Sequence, residues 1–380
     1  MKSCSSVFYL IVITTLLIIS CNVRRETGEY YRKVSLDGRY SIVGQNSLSP
    51  QMGRKGESYH FLYDKEGRLI KMEHLLGGKL KGNSFFGADV ALLTIRHFET
   101  YEERTYFDAN GIPVKNRDGV FFIRILFDED DNPEYRLNCD IFGQFTEDAH
   151  GVTRYSWVLD TEGRIAEEAF YNFPGKRVTI DEGVFGKRFK YDKDGNMTER
   201  SFFDATGNLT EDKEGVAVLR QKFDDKGNII EIRYFDRYNK LKELDNGVAI
   251  LQQKSDEDGN IIEVRYLGKD ERIKENNMGI AITRSSFDAY GNVVERKYYD
   301  ISDKITEGKF YGFAIRQWEY DEDGRLCETR FLDADGKLRN AINEEAAILR
   351  MEYDREGNLK QVLRFDKEGQ LVQDSATSIP

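Results

Sequence analysis

Two carboxylate clusters sit in the stretch YDEDGRLCETRFLDADGKL, Tyr320–Leu338, at Asp321–Gly324 and Asp333–Gly336. Alternate carboxylates beside a glycine are the raw material of a calcium loop. Such a loop needs oxygens at several alternate positions and a distal acid that binds through both oxygens. These clusters supply too few. The second acid is also not kept in related segments, where its slot holds Lys226 in DDKG, Thr206 in DATG, Tyr290 in DAYG and Glu356 in DREG. What persists is the first aspartate and the glycine. An aspartate that accepts backbone N–H groups, followed by a glycine at positive φ, is the chemistry of a type I turn with a bulge. The densest acidic run, Asp128-Glu129-Asp130-Asp131, is the best local candidate for a cation.

Other reactive groups are sparse. His60, His74, His97 and His150 make no H-x-x-x-H or H-E-x-x-H pair, and no Cys/His cluster has zinc spacing. No G-x-S-x-G, P-loop or G-x-G-x-x-G occurs. The many carboxylates are periodic, whereas a catalytic pair should break a period. We therefore expect a protein that is not an enzyme, with no cofactor and no metal. The net charge of −11 argues against nucleic acid and against an extended anionic-lipid surface, since both need a basic face. Cys139 and Cys327 read as two small half-buried residues rather than a disulfide.

The turns belong to a repeat. The glycine of each G-[VI]-A-type segment falls at Gly87, Gly119, Gly151, Gly183, Gly215, Gly247 and Gly279, always 32 residues apart. The next is Gly312, one residue late. A second marker, the turn aspartate, recurs at Asp128, Asp160, Asp192, Asp224, Asp256, Asp288, Asp321 and Asp354. One unit reads GVAVLRQKFDDKGNIIEIRYFDRYNKLKELDN, Gly215 to Asn246. GVAVLRQKF and IIEIRYF are β-rich, the second alternates, and DDKGN lies between them. KLKEL reads as a short third strand. No segment has helical periodicity, so almost no helix is expected. One hairpin is unstable alone in water, but stacked units cover each other's apolar faces. The expected fold is all-β, an elongated array of about ten 32-residue antiparallel β-hairpin repeats, in an open or spiral stacked sheet.

Periodicity also makes columns. Glutamates follow the turn at Glu167, Glu199, Glu231, Glu263, Glu295 and Glu328. Arginines follow the glycine at Arg124, Arg188, Arg220, Arg284 and Arg350. These read as a solvated face whose opposite charges pair across strands. The column Phe202, Tyr234, Tyr266, Tyr298 and Phe331 reads as core.

The start of the chain differs. Val7–Ser20 is an apolar run behind Lys2, too short for a comfortable membrane span, and it ends Ile18-Ile19-Ser20-Cys21. This resembles the lipobox of bacterial lipoproteins. The resemblance implies cleavage before Cys21, acylation of that cysteine and a lipid anchor in the membrane. Asn22, in place of an aspartate, resembles the sorting signal for the outer membrane. The chain is thus expected to divide into a signal peptide (1–20), a polar tether (21–52), a tandem β-repeat domain (53–372) and a C-terminal tail (373–380).

YDEDGRL (Tyr320–Leu326) and YDKEGRL (Tyr63–Leu69) resemble the tyrosine–aspartate repeats of bacterial RHS-type proteins, and the hairpin pattern is similar to MORN-like repeats. The resemblance implies spirals of β-hairpins in an envelope setting. The period here is longer, the G-V-A segment is extra, and most copies have Gly-Asn where that family has Gly-Arg. The expected function is a membrane-anchored envelope lipoprotein whose repeat surface binds a protein or glycan. The other reading is a structural spacer or assembly component without a specific ligand. No oligomeric state follows from the sequence.

Overall fold

The computed structural model describes residues 28–375 except 83–84, 174, 181–182 and 355–358, with backbone alone for 373–375. The expected signal peptide and Cys21 lie outside the described residues. Among those described, 24 strands form one antiparallel sheet, and the single helix has six residues. The sheet is all-β and does not close into a barrel.

The repeat unit folds as its pattern dictates. Val218–Phe223 pairs with Ile229–Phe235, with Val218 opposite Phe235 and Gln221 opposite Ile232. A bulge at Lys222/Phe223 accompanies the turn, and Gly227 takes φ 79°. The Asp224 carboxylate accepts the amides of Lys226 and Asn228 at 3.0 and 2.8 Å. Its other oxygen accepts the Asn228 side-chain amide at 3.0 Å. In the Gly-Arg copies the Arg68, Arg164 and Arg325 guanidiniums reach the same oxygen at 2.8, 2.8 and 2.6 Å. Asparagine and arginine are thus two solutions to one problem, a donor for the spare lone pairs of the turn aspartate.

Units join over fewer residues than hairpins do. Glu231, Ile232 and Arg233 face Gln252, Leu251 and Ile250. The end of each long strand is covered instead by the returning chain. Lys242 donates its amide to Tyr234 at 2.8 Å, and Leu241 makes a single bridge with Phe235. The expected third strand at KLKEL is only that bridge. The G-V-A segment packs beneath this crossing, which explains its alanine: Ala217, Ala249, Ala281, Ala314 and Ala347 are all 0% exposed. The tyrosine before the turn ties units together. The Tyr191, Tyr320 and Tyr353 hydroxyls donate to backbone carbonyls of the preceding unit at 2.9, 3.0 and 2.8 Å.

The charged columns pair across strands as expected. Arg188, Arg220, Arg284 and Arg350 reach Glu167, Glu199, Glu263 and Glu328 at 3.0, 2.7, 2.7 and 2.8 Å. They are less solvated than expected, since each arginine also lies over an aromatic ring: Phe203, Phe235, Tyr299 and Phe365. Glu231 takes donors from Arg233, Lys222 and Gln252 at 2.7, 2.8 and 3.1 Å. Burial pushes its carboxyl up, and these donors outweigh burial and hold it at about 2. A depressed folded value contributes stability above the unfolded value, about 4.3, which is lost as the pH falls through the folded one. Glu231→Gln should therefore cost roughly 2 kcal/mol at neutral pH, after discounting for solvent, and almost nothing near about pH 2. Urea titrations at the two pH values check this. An equal loss at both would remove the charge from the account.

The tether expectation is corrected. Residues 28–48 form a hairpin of β1 (Gly28–Leu36) and β2 (Ile42–Leu48), followed by α1 (Pro50–Lys55). β1 pairs with β3 (Glu57–Tyr63), which pairs with β4 (Leu69–Leu76), so the hairpin begins the sheet. Its apolar side chains are the reason. Ile42 packs with Phe61, Met72, Leu93, Ile95 and Tyr106, and Tyr30 and Leu48 with Leu75. The far boundary also moves, because the last strand, Leu371–Ser375, runs into the expected tail.

The sheet coils around this hairpin, which runs along the row of first turns. Gly38 accepts the Ile165 amide at 2.6 Å, and Arg39 donates to the Glu162 carbonyl at 2.7 Å. Lys33 donates to the Gly259 carbonyl and Arg32 to the Tyr290 carbonyl, at 2.5 and 2.6 Å. Turn glycines permit this approach. A Cβ on Gly291 would overlap the Arg32 guanidinium, and one on Gly324 would overlap the Lys55 carbonyl.

Candidate functional site

The coil gives the sheet an inner face. On it, cross-strand partners run Ile95/Arg104, Ile125/Arg136, Trp157/Glu168, Phe189/Arg200, Gln221/Ile232 and Gln253/Val264. The first three pairs grip the hairpin tip. Arg104 donates to the Tyr40 carbonyl and Arg136 to the Tyr40 hydroxyl, both at 2.8 Å. The Tyr40 ring lies 5.0 Å from that of Trp157.

Beyond the tip the hairpin stands off the sheet and leaves a groove. One end, about 520 Å³, is lined by Asp37, Arg117, His150, Tyr155, Lys187 and Arg200. The other, about 670 Å³, is lined by Lys33, Gln45, Gln221, Phe223, Gln253 and Ser255. Ser35, Leu36, Asp37 and Met197 line both, so the two ends are continuous.

The ends differ chemically. At the first, Arg136 is engaged by Asp118 at 2.6 Å and Lys187 by Glu168 at 3.4 Å. Arg200 has no ion pair among the described residues, and its guanidinium lies 5.5 Å from the Phe202 ring centroid. Its Nε is buried without a hydrogen-bond partner. Burial lowers its pKa, and the charge of Asp212 acts the other way. A guanidinium left in this state offers directed donors to an acidic group, at a site where water competes poorly. At the second end, the side chains of Gln45, Gln221, Gln253 and Ser255 make no hydrogen bonds among the described residues, so their amides and hydroxyl line the groove free. Amides and hydroxyls beside the Phe223 ring can bind neutral polar groups, and Arg200 can bind an anion.

The residues singled out in the sequence lie elsewhere, apart from His150. Asp321 and Asp333 each spend one carboxylate oxygen on two turn amides, at 3.0 and 2.8 Å and at 3.0 and 2.9 Å. Asp128 does the same for Asp130 and Asn132, both at 2.9 Å, so the acidic run is a turn. No group of three or more His, Cys, Asp or Glu among the described residues is placed to hold a metal ion. His60 bonds Glu73 at 2.9 Å, His74 lies between Glu57 and the Lys81 carbonyl, and His97 reaches the Leu69 carbonyl. Cys139 is buried, Cys327 is half-buried, and both are free thiols. The aromatic column is largely core, with Phe202, Tyr298 and Phe331 at 6, 8 and 2% exposure. Arg200 has one signal in the sequence, as the last of a charged run in one column, Arg104, Arg136, Glu168 and Arg200, before Ile232 and Val264.

No protein-family model and no curated protein matches the chain. Solved structures share a looser likeness. The crystal structure of TcdB2-TccC3-TEV aligns with 82% of this chain at 14% identity and TM-score 0.34. The Photorhabdus luminescens Tc holotoxin pore with a TccC3 mutation aligns with 84% at 10% identity and TM-score 0.27. This chain spans only 18% of each of those two. A porin-like protein from Bacteroides uniformis aligns with 80% of this chain and 86% of its own length, at 10% identity and TM-score 0.18.

Proposed function

We propose that the protein is a non-enzymatic lipoprotein, anchored through acylated Cys21 at the outer membrane, whose inner groove binds a glycan carrying an acidic group. The observation that carries the ligand is the Arg200 side chain, whose buried Nε has no hydrogen-bond partner among the described residues, at one end of an amide-lined groove. A glycan suits this mixture better than a peptide strand, because the hairpin hydrogen-bonds into the coil and the groove offers side-chain amides rather than a free sheet edge.

The binding test uses the chain begun at Asn22, which keeps every described residue. Polygalacturonate and neutral dextran serve as probes. Polygalacturonate should bind and dextran should bind more weakly. Arg200→Gln should weaken polygalacturonate about tenfold or more, the value of one charge-assisted hydrogen bond. Equal binding by wild type and variant would remove Arg200 from the site. No binding to either polymer would leave the spacer as the better reading. The anchor is tested separately by palmitate labelling of the full chain, where label retained on a Cys21→Ser variant would sink it.

A further inference from the structure

Most units make turns in three rows with the same frame. Asp224, Asp236 and Asp212 stand for the first, second and third rows. Each accepts two backbone amides, at 3.0 and 2.8 Å, 2.9 and 2.9 Å, and 2.9 and 2.9 Å. The frame needs only the aspartate and a residue at positive φ. The two tip residues between them are free to suit what surrounds them.

The rows use that freedom differently. First-row tips are mostly charged, as in Lys193-Asp194, Asp225-Lys226 and Glu257-Asp258. Four second-row turns instead carry large apolar tips that stand exposed, while others hold small or charged residues such as Ala205-Thr206 and Lys269-Asp270. Ile141, Phe142, Phe173, Tyr238 and Ile301 are 51, 85, 72, 73 and 58% exposed. None of them lines the groove. The residue after the positive-φ position is a cation in many copies, Lys176, Lys240, Lys304 and Lys337, and none of these four holds an ion pair among the described residues. Their first-row counterparts Arg68, Arg164 and Arg325 are bound to the turn aspartates.

We infer that the rim of second turns rests on a lipid bilayer, with the apolar tips entering the headgroup boundary and the lysines meeting lipid phosphates. Single apolar side chains on separate turns, interleaved with lysine, fit a fluid apolar layer that takes each one where it stands. A protein partner would need a pocket for each. The net charge of −11 makes this a zwitterionic surface, entered by rings rather than held by an extended basic face. The anchor in the proposed function is compatible with this placement. Seven peptide steps from Cys21 to Gly28 reach at most about 25 Å, about one strand length. The rim itself does not depend on the anchor.

The test uses the chain begun at Asn22, which has no cysteine to acylate there, and vesicles of phosphatidylcholine alone. It should cosediment with them. A variant with Phe142→Ser, Phe173→Ser and Tyr238→Ser should bind at least about a hundredfold more weakly, since three exposed rings lose their transfer into the bilayer. Its melting curve should not change, because the tips support nothing in the fold. In a Phe142→Trp variant the emission should shift to the blue on adding vesicles. Failure of the unmodified chain to bind, undiminished binding by the triple variant, or an unshifted Trp emission would each overturn the inference. Palmitate labelling reads the anchor independently, so failure of one does not imply failure of the other.

Discussion

A chain lacking Gly28–Leu48 is expected to lose about 5 kcal/mol of stability or more. Tyr30, Ile42 and Leu48 are 7, 8 and 9% exposed, and each buried side chain of this size contributes about 1.5–3 kcal/mol. The deletion also uncovers Phe61, Met72 and Leu93, now at 1, 0 and 0% exposure, and strips Arg104 and Arg136 of Tyr40. The effect should exceed that of deleting Gly215–Asn246, although the latter removes more residues. An interior unit takes away one neighbour interface and lets the array re-stack. The hairpin touches turns in several units, and nothing replaces it. Urea midpoints of the two deletions, with dye binding to report exposed apolar surface, decide the matter. A hairpin deletion with an unchanged midpoint would make residues 28–48 a tether after all.

The same contrast shows what the sequence could convey. The turns, the hairpins, the charge pairing and the core column are local or one unit apart, so each is repeated and the period exposes it. The hairpin is neither. It carries no repeat marker, and its polar stretches read as linker. Its partners lie far along the chain, as where Arg32 meets the Tyr290 carbonyl across 258 residues. The choice between open and coiled sheet was hidden for the same reason, since coiling depends on those contacts. The groove was legible only as an irregularity. Arg104, Arg136, Glu168 and Arg200 occupy a column that holds Ile232 and Val264 in the next two units and Arg296 in the one after, and the charged run falls where the column meets the hairpin tip and the first end of the groove. In a repeat protein the departures from the period carry the specific chemistry, and the period itself carries the frame.

Arg136→Ala is the point substitution expected to cost most, about 3–5 kcal/mol, because it breaks a buried charged network from one side. Arg136 is 5% exposed. It donates to the Tyr40 hydroxyl at 2.8 Å, to Asp118 at 2.6 Å and to Asn138 at 2.9 and 3.1 Å. Its guanidinium lies 4.3 Å from the Tyr155 ring centroid. Burial pushes the Asp118 carboxyl up, and Arg136 more than offsets it, so the carboxyl is now below its usual range. Without the arginine, burial should carry it above that range, and the variant should lose less at acid pH, where Asp118 is protonated. Tyr40→Phe removes one hydrogen bond and should cost about 1 kcal/mol. The double variant is the decisive measurement. Tyr40 and Arg136 are 96 residues apart and meet only if the hairpin tip is seated on the inner face. A coupling of about 1 kcal/mol would place the tip there in solution, whereas additivity within about 0.3–0.5 kcal/mol would mean the two residues act independently.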